Sequence, residues 1–393
     1  MDIFSDISRV KRIETHQFGV FKLQQGLDVA PVDVLLQRVQ DAQDRFSASP
    51  LSSVATQLEK EVVVSSVFGT NTIEGGELSE QETEQALSLS PEQIQNIQQQ
   101  RALNIKSAYD YIREVSVGEN WHPTLETMLE VHRRVYDNLD ADNEQNVPGV
   151  LRSNPDGVVT KVGNADHGGV YKPPQNGADI RTLLESLLAW NIELAEGGVP
   201  ALIRAPLVHM YFEIIHPFWD GNGRVGRVLE AGILYADGFR YAPFAQANYY
   251  LQNIHQYFAL FNRCRKAAAK KREFPNTEFV VFFLEGMLTT INHLHDRVNR
   301  MVKVVLFEMA LKHFYDDKTI NDRQYAIVNE VLRKGSATTL KELRQAPWAQ
   351  ALYNKLTEKT RSRDLKKLIE LNLLVTDKKG DVSPGFIEQS IIK

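Results

Sequence analysis

The sequence predicts a mainly α-helical protein with one β-prone interruption and a small C-terminal domain of winged helix-turn-helix type. Apolar residues recur at helical spacing along most of the chain. Residues 148–174 break this pattern with Asn, Pro and Gly residues around short β-prone pieces. After residue 320 the helical stretches shorten and are followed by two strand-like pieces around a Lys-Lys-Gly-Asp turn.

The composition is that of an ordinary globular protein, with 43% hydrophobic and 24% charged residues among 393. We expect two or three structural units at this length. The formal net charge of −5 argues against nucleic-acid binding by the whole chain, although one basic subdomain fits within that average. The single cysteine, Cys264, excludes an intramolecular disulfide and suits a reducing cytoplasm.

No segment of the sequence resembles a targeting or membrane-spanning element. The first 21 residues lack the apolar block of a signal peptide. The longest apolar run, 279–288, contains Glu285 and is too short to cross a bilayer. We therefore expect a cytoplasmic protein without a membrane partner.

Amphipathic spacing predicts most of the helices in the first half of the chain. Gly75 and Gly76 are expected to end one helix, because glycine readily takes the left-handed conformation. Ser90 is the expected N-cap of the next helix, with Pro91 at the first helical position. The predicted segments are 32–46, 54–76, 90–115, 125–139 and 179–194.

The β-prone stretch 148–174 predicts a hairpin or irregular flap that interrupts the helical body. Helices return at Ala201 and continue to about residue 316. The segment 201–215 has the spacing of a buried helix, but Pro206 predicts a kink or a later start.

The segment 216–227, HPFWDGNGRVGR, joins a turn to the start of a predicted helix. Its three residues Gly221–Gly223 would lie at the helix N-terminus, where unpaired N–H groups and the helix dipole favour an anion. Arg224 and Arg227 are three residues apart, so both guanidinium groups can reach phosphate oxygens from one helix face. The pattern therefore predicts a phosphate site.

Two further residues of the segment add chemistry to that site. Asp220 is a hard oxygen ligand suited to Mg²⁺ on phosphates. His216 can take a proton from a hydroxyl near neutral pH. Each feature alone also has an ordinary explanation, such as a turn histidine, a tight Gly-Asn-Gly loop or solvated arginines. Their occurrence within twelve residues favours phosphoryl or nucleotidyl transfer.

HPFWDGNGRVGR matches the signature of the Fic family, His-x-Phe-x-(Asp or Glu)-Gly-Asn-Gly-(Arg or Lys)-x-x-Arg, without a mismatch. Residues 148–174 resemble the family's flap, which positions a target segment by β-augmentation. Residues 249–261 resemble the helix that follows the motif. The resemblance covers roughly residues 100–300 and implies a Fic-type helical core with a β-hairpin flap.

The resemblance also implies roles for the motif residues. His216 would deprotonate a protein hydroxyl, Asp220 would hold Mg²⁺ on the α- and β-phosphates of ATP, and Phe218 would point into the core. The product would be AMP on Ser, Thr or Tyr, with release of pyrophosphate. The residues expected to bind the phosphates of ATP are Gly221, Asn222, Gly223, Arg224 and Arg227.

The stretch TNTIEGG, residues 70–76, is similar to the inhibitory motif of some Fic proteins, (Ser or Thr)-x-x-x-Glu-(Gly or Asn). The resemblance implies that Glu74 pairs with Arg227, which would remove a phosphate contact and spoil the pose for in-line attack. The alternative is a solvated Glu74 near a helix C-terminus. In some relatives the same glutamate helps to remove AMP, and that reaction stays open here.

The C-terminal segment 320–393 is locally basic. In a winged helix, residues 360–371 would be the recognition helix and residues 377–381 the wing. Such modules also serve as docking or dimerisation surfaces, so DNA binding and a homodimer both stay open.

These expectations give four regions: an N-terminal helical region with the inhibitory helix over 1–95, a Fic catalytic core over 96–300, a connector over 301–319 and a winged-helix-like domain over 320–393. The leading hypothesis is an auto-inhibited adenylyltransferase that uses ATP and Mg²⁺ to modify proteins, with self-adenylylation as a further expectation. The rival is a nucleotide-sensing DNA-binding regulator. The presence of both His216 and Asp220 favours the enzyme, because a sensor needs no general base.

Overall fold

The computed structural model describes residues 10–118, 121–139, 145–335 and 337–386. These residues fall into two compact units, which divide between His295 and Asp296. The elements confirm a mainly helical protein. Within the described ranges, no helix combines the length and apolarity needed to cross a bilayer.

The N-terminal unit begins with a β-hairpin that helical periodicity does not predict. Strand β1 (Val10–Glu14) pairs antiparallel with β2 (Val20–Gln24), with Ile13 opposite Phe21. Phe21 and Leu23 are buried and alternate with exposed residues, as expected for a strand with one face on a core.

Helices make up most of the remaining described residues of this unit. The last of them, α11, contributes residues to both units. Their bounds are α1 (Val29–Ser47), α2 (Ala55–Ile73), α3 (Glu80–Ala86), α4 (Ile97–Val115), α5 (Leu125–Val135), α6 (Gly177–Glu196), α7 (Ala201–Ile215), α8 (Asn222–Ala236), α9 (Ala242–Gln252), α10 (Ile254–Ala269) and α11 (Thr277–Asp316).

The helix expected from Ser90 begins later, so that prediction was wrong at its N-terminus. Ser90 precedes only a short 3₁₀ turn, Pro91–Gln93. The α-helix starts at Ile97 because Asn96 takes an extended conformation and its side chain accepts a hydrogen bond from the Gln99 N–H at 3.0 Å.

The central helix α7 begins at Ala201 and continues through Pro206, so the expected late start was wrong. Every residue of α7 except Glu213 is buried. Burial of each large apolar side chain contributes about 1.5–3 kcal/mol, and α7 has many of them. A proline in a helix interior costs about 3 kcal/mol, so the burial outweighs it.

The flap over residues 148–174 is a hairpin with a single bridge pair. Val162 and Tyr171 exchange two backbone hydrogen bonds of 3.0 Å. Helix α10 braces the loop: Asn262 Nδ2 donates to the Gly169 carbonyl and Lys266 Nζ to the Gly168 carbonyl, each at 2.6 Å. The flap is therefore held mainly by side chains rather than by a strand ladder.

The C-terminal unit contains α12 (Asp322–Lys334), α13 (Leu340–Gln345), α14 (Pro347–Leu352), α15 (Glu358–Glu370), β3 (Leu374–Thr376) and β4 (Val382–Pro384). Strands β3 and β4 are antiparallel, and Thr338 forms a further bridge to Val382. The short α14 is an addition to the predicted helices. The core of this unit contains Ile327, Val328, Val331, Leu368, Leu374 and Val382.

Candidate active site

The loop between α7 and α8 is closed by the side chain of Asn222. Its Oδ1 accepts from the Phe218 N–H and its Nδ2 donates to the Phe218 carbonyl, both at 2.9 Å. Phe218 is fully buried, as expected. Because both ends of the Asn222 amide bind the loop, its backbone N–H is the group left to contact a phosphate.

Helix α8 begins with a glycine turn that leaves its N-terminus open. Gly221 has φ 82°, in the left-handed region, and no side chain caps the helix. A Cβ on Gly223 would lie 2.2 Å from Glu74 Oε1 and 3.0 Å from Arg227 Nη1. Glycine at 223 thus leaves room for an anionic group, and the Glu74 carboxylate occupies that room.

Glu74 and Arg227 form an ion pair across this space. Glu74 Oε1 lies 2.6 Å from Arg227 Nη2, which also donates to the Thr70 carbonyl at 3.3 Å. Arg101 Nη2 donates to the Glu74 carbonyl at 3.1 Å. Burial alone lowers the pKa of Arg227, but the Glu74 carboxylate outweighs it and the pKa lies above its ordinary value.

Asp220 lies at the other side of the α8 N-terminus, with Arg224. The Tyr136 hydroxyl donates to Asp220 Oδ2, and the Gly221 N–H donates to Oδ1 at 2.5 Å. Arg224 Nη2 is 3.4 Å from Oδ1. Partial burial by itself raises the pKa of Asp220. The Arg224 charge and these hydrogen bonds outweigh that effect, so the pKa lies below its ordinary value. The two motif arginines therefore have separate partners.

The donor set around Asp220 fits a weakly held Mg²⁺. The described residues include no group of three or more His, Cys, Asp or Glu side chains that could hold a metal. Mg²⁺ is commonly bound through one or two carboxylates together with substrate phosphates. The exposed carboxylate of Asp220, beside an open helix N-terminus, suits that mode.

His216 follows α7 in a left-handed conformation, with φ 52° and ψ 65°. Its Nδ1 lies 3.9 Å from Glu213 Oε2. Burial, with a smaller effect of the Arg152 charge, lowers the pKa of His216 to about 4. The ring is therefore neutral at pH 7 and able to accept a proton.

Arg152, which sequence reasoning missed, holds His216 in this conformation. Its Nε donates to the His216 carbonyl and its Nη2 to the Pro174 carbonyl, each at 2.6 Å. Its Nη1 donates to Asn154 Oδ1 at 2.7 Å. The side chain is 1% exposed and joins the two ends of the flap to the loop between α7 and α8. No local pattern pairs residues 152 and 216.

His132 supports the same loop from α5 and was also missed. The Gly149 N–H donates to His132 Nδ1 at 2.9 Å, so Nε2 carries the proton and donates to the Asp220 carbonyl at 3.1 Å. The ring stacks on Phe218 with centroids 3.8 Å apart. Burial lowers the pKa of His132 to about 4, and the ring is neutral at pH 7.

These groups open into one cleft of about 380 Å³ between the loop, the flap and α10. The structure brings His216, Asp220, Asn222, Gly223, Arg227 and Glu74 together in its lining, while Arg224 lies behind Asp220. The flap side of the cleft is lined by Val162, Gly163, Asn164, His167 and Tyr171, and the α10 side by Tyr257, Phe258, Phe261 and Asn262.

Residues 122–234 match the Fic/DOC family. A protein adenylyltransferase Fic from Nematostella vectensis is 25% identical over 213 residues, which are 52% of this chain and 45% of that protein. The chain thus spans less than half of that relative's length.

Two solved structures share the fold. The crystal structure of a Fic family protein from Desulfovibrio desulfuricans has a TM-score of 0.56 at 17% identity and covers 92% of this chain and 97% of its own. Fic-1 from C. elegans has a TM-score of 0.52 at 21% identity, over 69% of this chain and 74% of its own. The HPFWDGNGRVGR loop therefore lies within the segment that matches the Fic/DOC family, and the fold around it is shared with solved Fic proteins.

Proposed function

We propose that the protein transfers AMP from ATP to the hydroxyl of a Ser, Thr or Tyr side chain in a protein and releases pyrophosphate. The observation that carries this proposal is the meeting, in one cleft, of the neutral His216 with the open α8 N-terminus and Arg227. The relatives named as protein adenylyltransferases support the enzyme over the nucleotide-sensing regulator.

In the proposed step the hydroxyl oxygen forms a bond to the α-phosphorus of ATP. The bond between that phosphorus and the oxygen bridging to the β-phosphorus breaks, and pyrophosphate leaves with the bridging oxygen. The hydroxyl proton passes to His216 Nε2, because Nδ1 is buried beside Glu213. Arg152 would keep the ring aimed at the hydroxyl through the His216 carbonyl.

Asp220 would hold Mg²⁺ against the phosphates of ATP. The bound ion would neutralise phosphate charge. The backbone N–H groups of Asn222 and Gly223, together with Arg227, would bind the remaining phosphate oxygens. The Gly221 N–H and Arg224 would have to exchange Asp220 for a phosphate to join them.

We further propose that Glu74 inhibits this reaction. Its carboxylate forms an ion pair with the Nη2 of Arg227 and lies against Gly223. It thus occupies the place where a phosphate would bind. ATP that binds beside Glu74 would lose one guanidinium contact and meet a like charge. Modification of this protein by itself would be limited in the same way.

The test is transfer of label from α-³²P-ATP with Mg²⁺ to the protein itself and to proteins of a lysate. Wild type is compared with Glu74→Gly and with the Glu74→Gly/His216→Ala double variant. We expect at least tenfold more label with Glu74→Gly, because Arg227 becomes free for phosphate, and none in the double variant.

The control is Glu77→Gly, which removes an exposed carboxylate three residues away and should leave labelling at the wild-type level. Absence of label from every form, with ATP binding intact, would contradict the transferase. Equal labelling by wild type and Glu74→Gly would contradict inhibition by Glu74.

We also propose that the C-terminal unit binds DNA through its phosphates as a winged helix-turn-helix domain. Residues 296–393 contain 19 Lys and Arg against 13 Asp and Glu, a net +6, whereas residues 1–295 hold the other 26 and 37, a net −11. Helix α15 exposes Lys359, Arg363, Lys366 and Lys367 at spacings of three and four residues.

Fluorescence anisotropy with labelled duplex DNA tests this. Arg363→Gln/Lys367→Gln should weaken binding and make it less dependent on salt, because two phosphate contacts are lost. Lys303→Gln/Lys312→Gln removes two exposed charges from α11 and is the matched control. Equal loss in both pairs would indicate a general charge effect and contradict a surface on α15.

A further inference from the structure

A chain of buried hydrogen bonds runs from Arg227 into the core behind the cleft. Arg227 Nη1 donates to the Tyr257 hydroxyl at 3.4 Å. Tyr257 lies 3.0 Å from His209 Nε2, and His209 Nδ1 lies 2.7 Å from Glu230 Oε2. These four residues come from α7, α8 and α10, and each is at most 3% exposed.

The donors and acceptors of this chain have one consistent direction. Glu230 also accepts from the Tyr250 hydroxyl, at 2.8 and 3.0 Å to its two oxygens. His209 therefore carries its proton on Nδ1 and donates it to Glu230. Its Nε2 is then the acceptor for the Tyr257 hydroxyl, whose own lone pairs face the Arg227 N–H.

A buried carboxylate is costly in a core that apolar side chains could fill. Glu230 is 2% exposed, and both of its carboxylate oxygens have hydrogen-bond partners in Tyr250 and His209. Its effect is to fix the tautomer of His209, and through it the rotation of the Tyr257 hydroxyl. The hydrogen bonds from Glu230 to Arg227 therefore have a fixed donor and acceptor order, in addition to the packing of their side chains.

The orientation of the Arg227 guanidinium depends on this series of hydrogen bonds when Glu74 leaves the cleft. Among the described residues, the hydrogen-bond acceptors of its guanidinium are Glu74, the Thr70 carbonyl and Tyr257. Thr70 lies in the last turns of α2 and Glu74 directly follows that helix, whereas Tyr257 lies on α10. A movement of the end of α2 that carries Glu74 out of the cleft would also take away the Thr70 carbonyl and leave Tyr257. Loss of the Glu74 side chain alone leaves Arg227 with the Thr70 carbonyl and Tyr257.

We propose that Tyr257, held by His209 and Glu230, is a positioning residue that keeps the Arg227 guanidinium directed at the phosphate site in the uninhibited protein. This proposal rests on the proposed function, because it assumes that Arg227 binds a phosphate of ATP. Tyr257 acts on the nucleotide through Arg227 and not on the hydroxyl that is modified.

Gly226, the residue before Arg227, is a second place to test the chain. A Cβ at this position would lie 2.8 Å from His209 Cδ2 and 2.9 Å from Glu213 Oε1. Glycine therefore lets His209 approach α8 closely. Alanine would push the ring of His209 away and loosen its bond to Tyr257 without removing any group of the chain.

The experiment measures kcat and KM for ATP in the Glu74→Gly background, with and without Tyr257→Phe. Phenylalanine keeps the ring and removes only the hydroxyl. We expect KM for ATP to rise about tenfold, the usual effect of losing a hydrogen bond to a charged group, and kcat to change less than about threefold. Gly226→Ala should raise KM in the same direction.

Tyr211→Phe is the matched control, because it removes another buried hydroxyl, bonded to Gln24 and Asn276 and remote from Arg227. It should lower the melting temperature about as much as Tyr257→Phe and leave KM unchanged. An unchanged KM in Tyr257→Phe overturns the positioning role alone. Failure of Glu74→Gly itself to bind ATP or transfer AMP would overturn the proposed function and this inference together.

Discussion

Two histidines flank the loop between α7 and α8, His132 on α5 and His216 at the start of the loop, and burial lowers the pKa of each to about 4. Both rings are neutral at pH 7, but their nitrogens have different partners. His132 has both nitrogens engaged with backbone groups. The Nδ1 of His216 is buried without a hydrogen-bond partner, and its Nε2 is the nitrogen proposed to take the proton.

The rate of AMP transfer should therefore fall on acidification only near pH 4 to 5. A base with a lowered pKa stays unprotonated through the range around 6.5 in which an ordinary histidine titrates. The measurement is kcat of Glu74→Gly from pH 4.5 to 8 at constant ionic strength. An acid limb with its midpoint near 6.5 would contradict the environment assigned to His216.

The same shifts make the protein less stable in acid. Below pH 6.5 the two histidines bind protons in the unfolded chain that they do not bind in the folded one, so the free energy of unfolding falls as the pH drops toward 4. Glu213 opposes this, because burial raises its pKa to about 8 and its stabilising effect is lost as pH rises through that value. Between pH 6.5 and 4.5 the two histidines together outweigh Glu213, so the free energy of unfolding falls as the pH drops.

At the scale of elements, α7, the loop that follows it and α8 are consecutive in the chain. The conformation of the loop is stabilised by contacts from other elements. Arg152 brings the flap ends against the loop through the carbonyls of His216 and Pro174. Its backbone N–H also donates to the Pro217 carbonyl at 2.9 Å. The left-handed conformation of His216, unusual for a residue other than glycine, persists because these bonds hold it.

Arg152→Gln should lower both stability and activity. Loss of the guanidinium leaves buried carbonyls without donors, which costs about 2–3 kcal/mol in the free energy of unfolding. Because His216 is then free to leave its conformation, kcat in the Glu74→Gly background should drop at least tenfold. Urea unfolding and label transfer are the measurements, with the exposed Arg181→Gln on α6 as control. A loss of stability with unchanged kcat would restrict Arg152 to a structural role.

At the scale of the whole molecule, the described residues form two units. In the C-terminal unit, the buried Asp364, 5% exposed, accepts several hydrogen bonds. It accepts from Arg323 Nε at 3.1 Å, Gln324 Nε2 at 3.0 Å and the Tyr353 hydroxyl at 2.8 Å. These bonds join α12, α15 and the residue after α14, so a single carboxylate links three parts of the C-terminal unit.

Asp364→Ala should destabilise the C-terminal unit by about 2–4 kcal/mol, because three donors lose their acceptor. AMP transfer by Glu74→Gly at 25 °C should be unaffected, since the cleft residues all lie before His295. Differential scanning calorimetry of the full chain and label transfer are the measurements. Parallel loss of the activity and of the C-terminal transition would show that the two units are not independent.

The sequence by itself determined the mainly helical fold and the chemistry of the loop. HPFWDGNGRVGR carries His216, Asp220, the glycine turn and both arginines within twelve residues. Local geometry alone brings such groups together, so no knowledge of distant contacts is needed. The pairing of Glu74 with Arg227, 153 residues apart, came from resemblance to a family and not from periodicity.

Only the tertiary structure decided which remote groups hold that loop. Arg152 lies 64 residues from His216, His132 lies 88 from Asp220, and Tyr257 lies 30 from Arg227. The β1–β2 hairpin was likewise decided by packing. The late start of α4 instead follows from the local Asn96 cap, which apolar periodicity does not report. Sequence periodicity reports which face of an element is apolar, whereas a hydrogen bond between elements depends on how their faces meet in the folded chain.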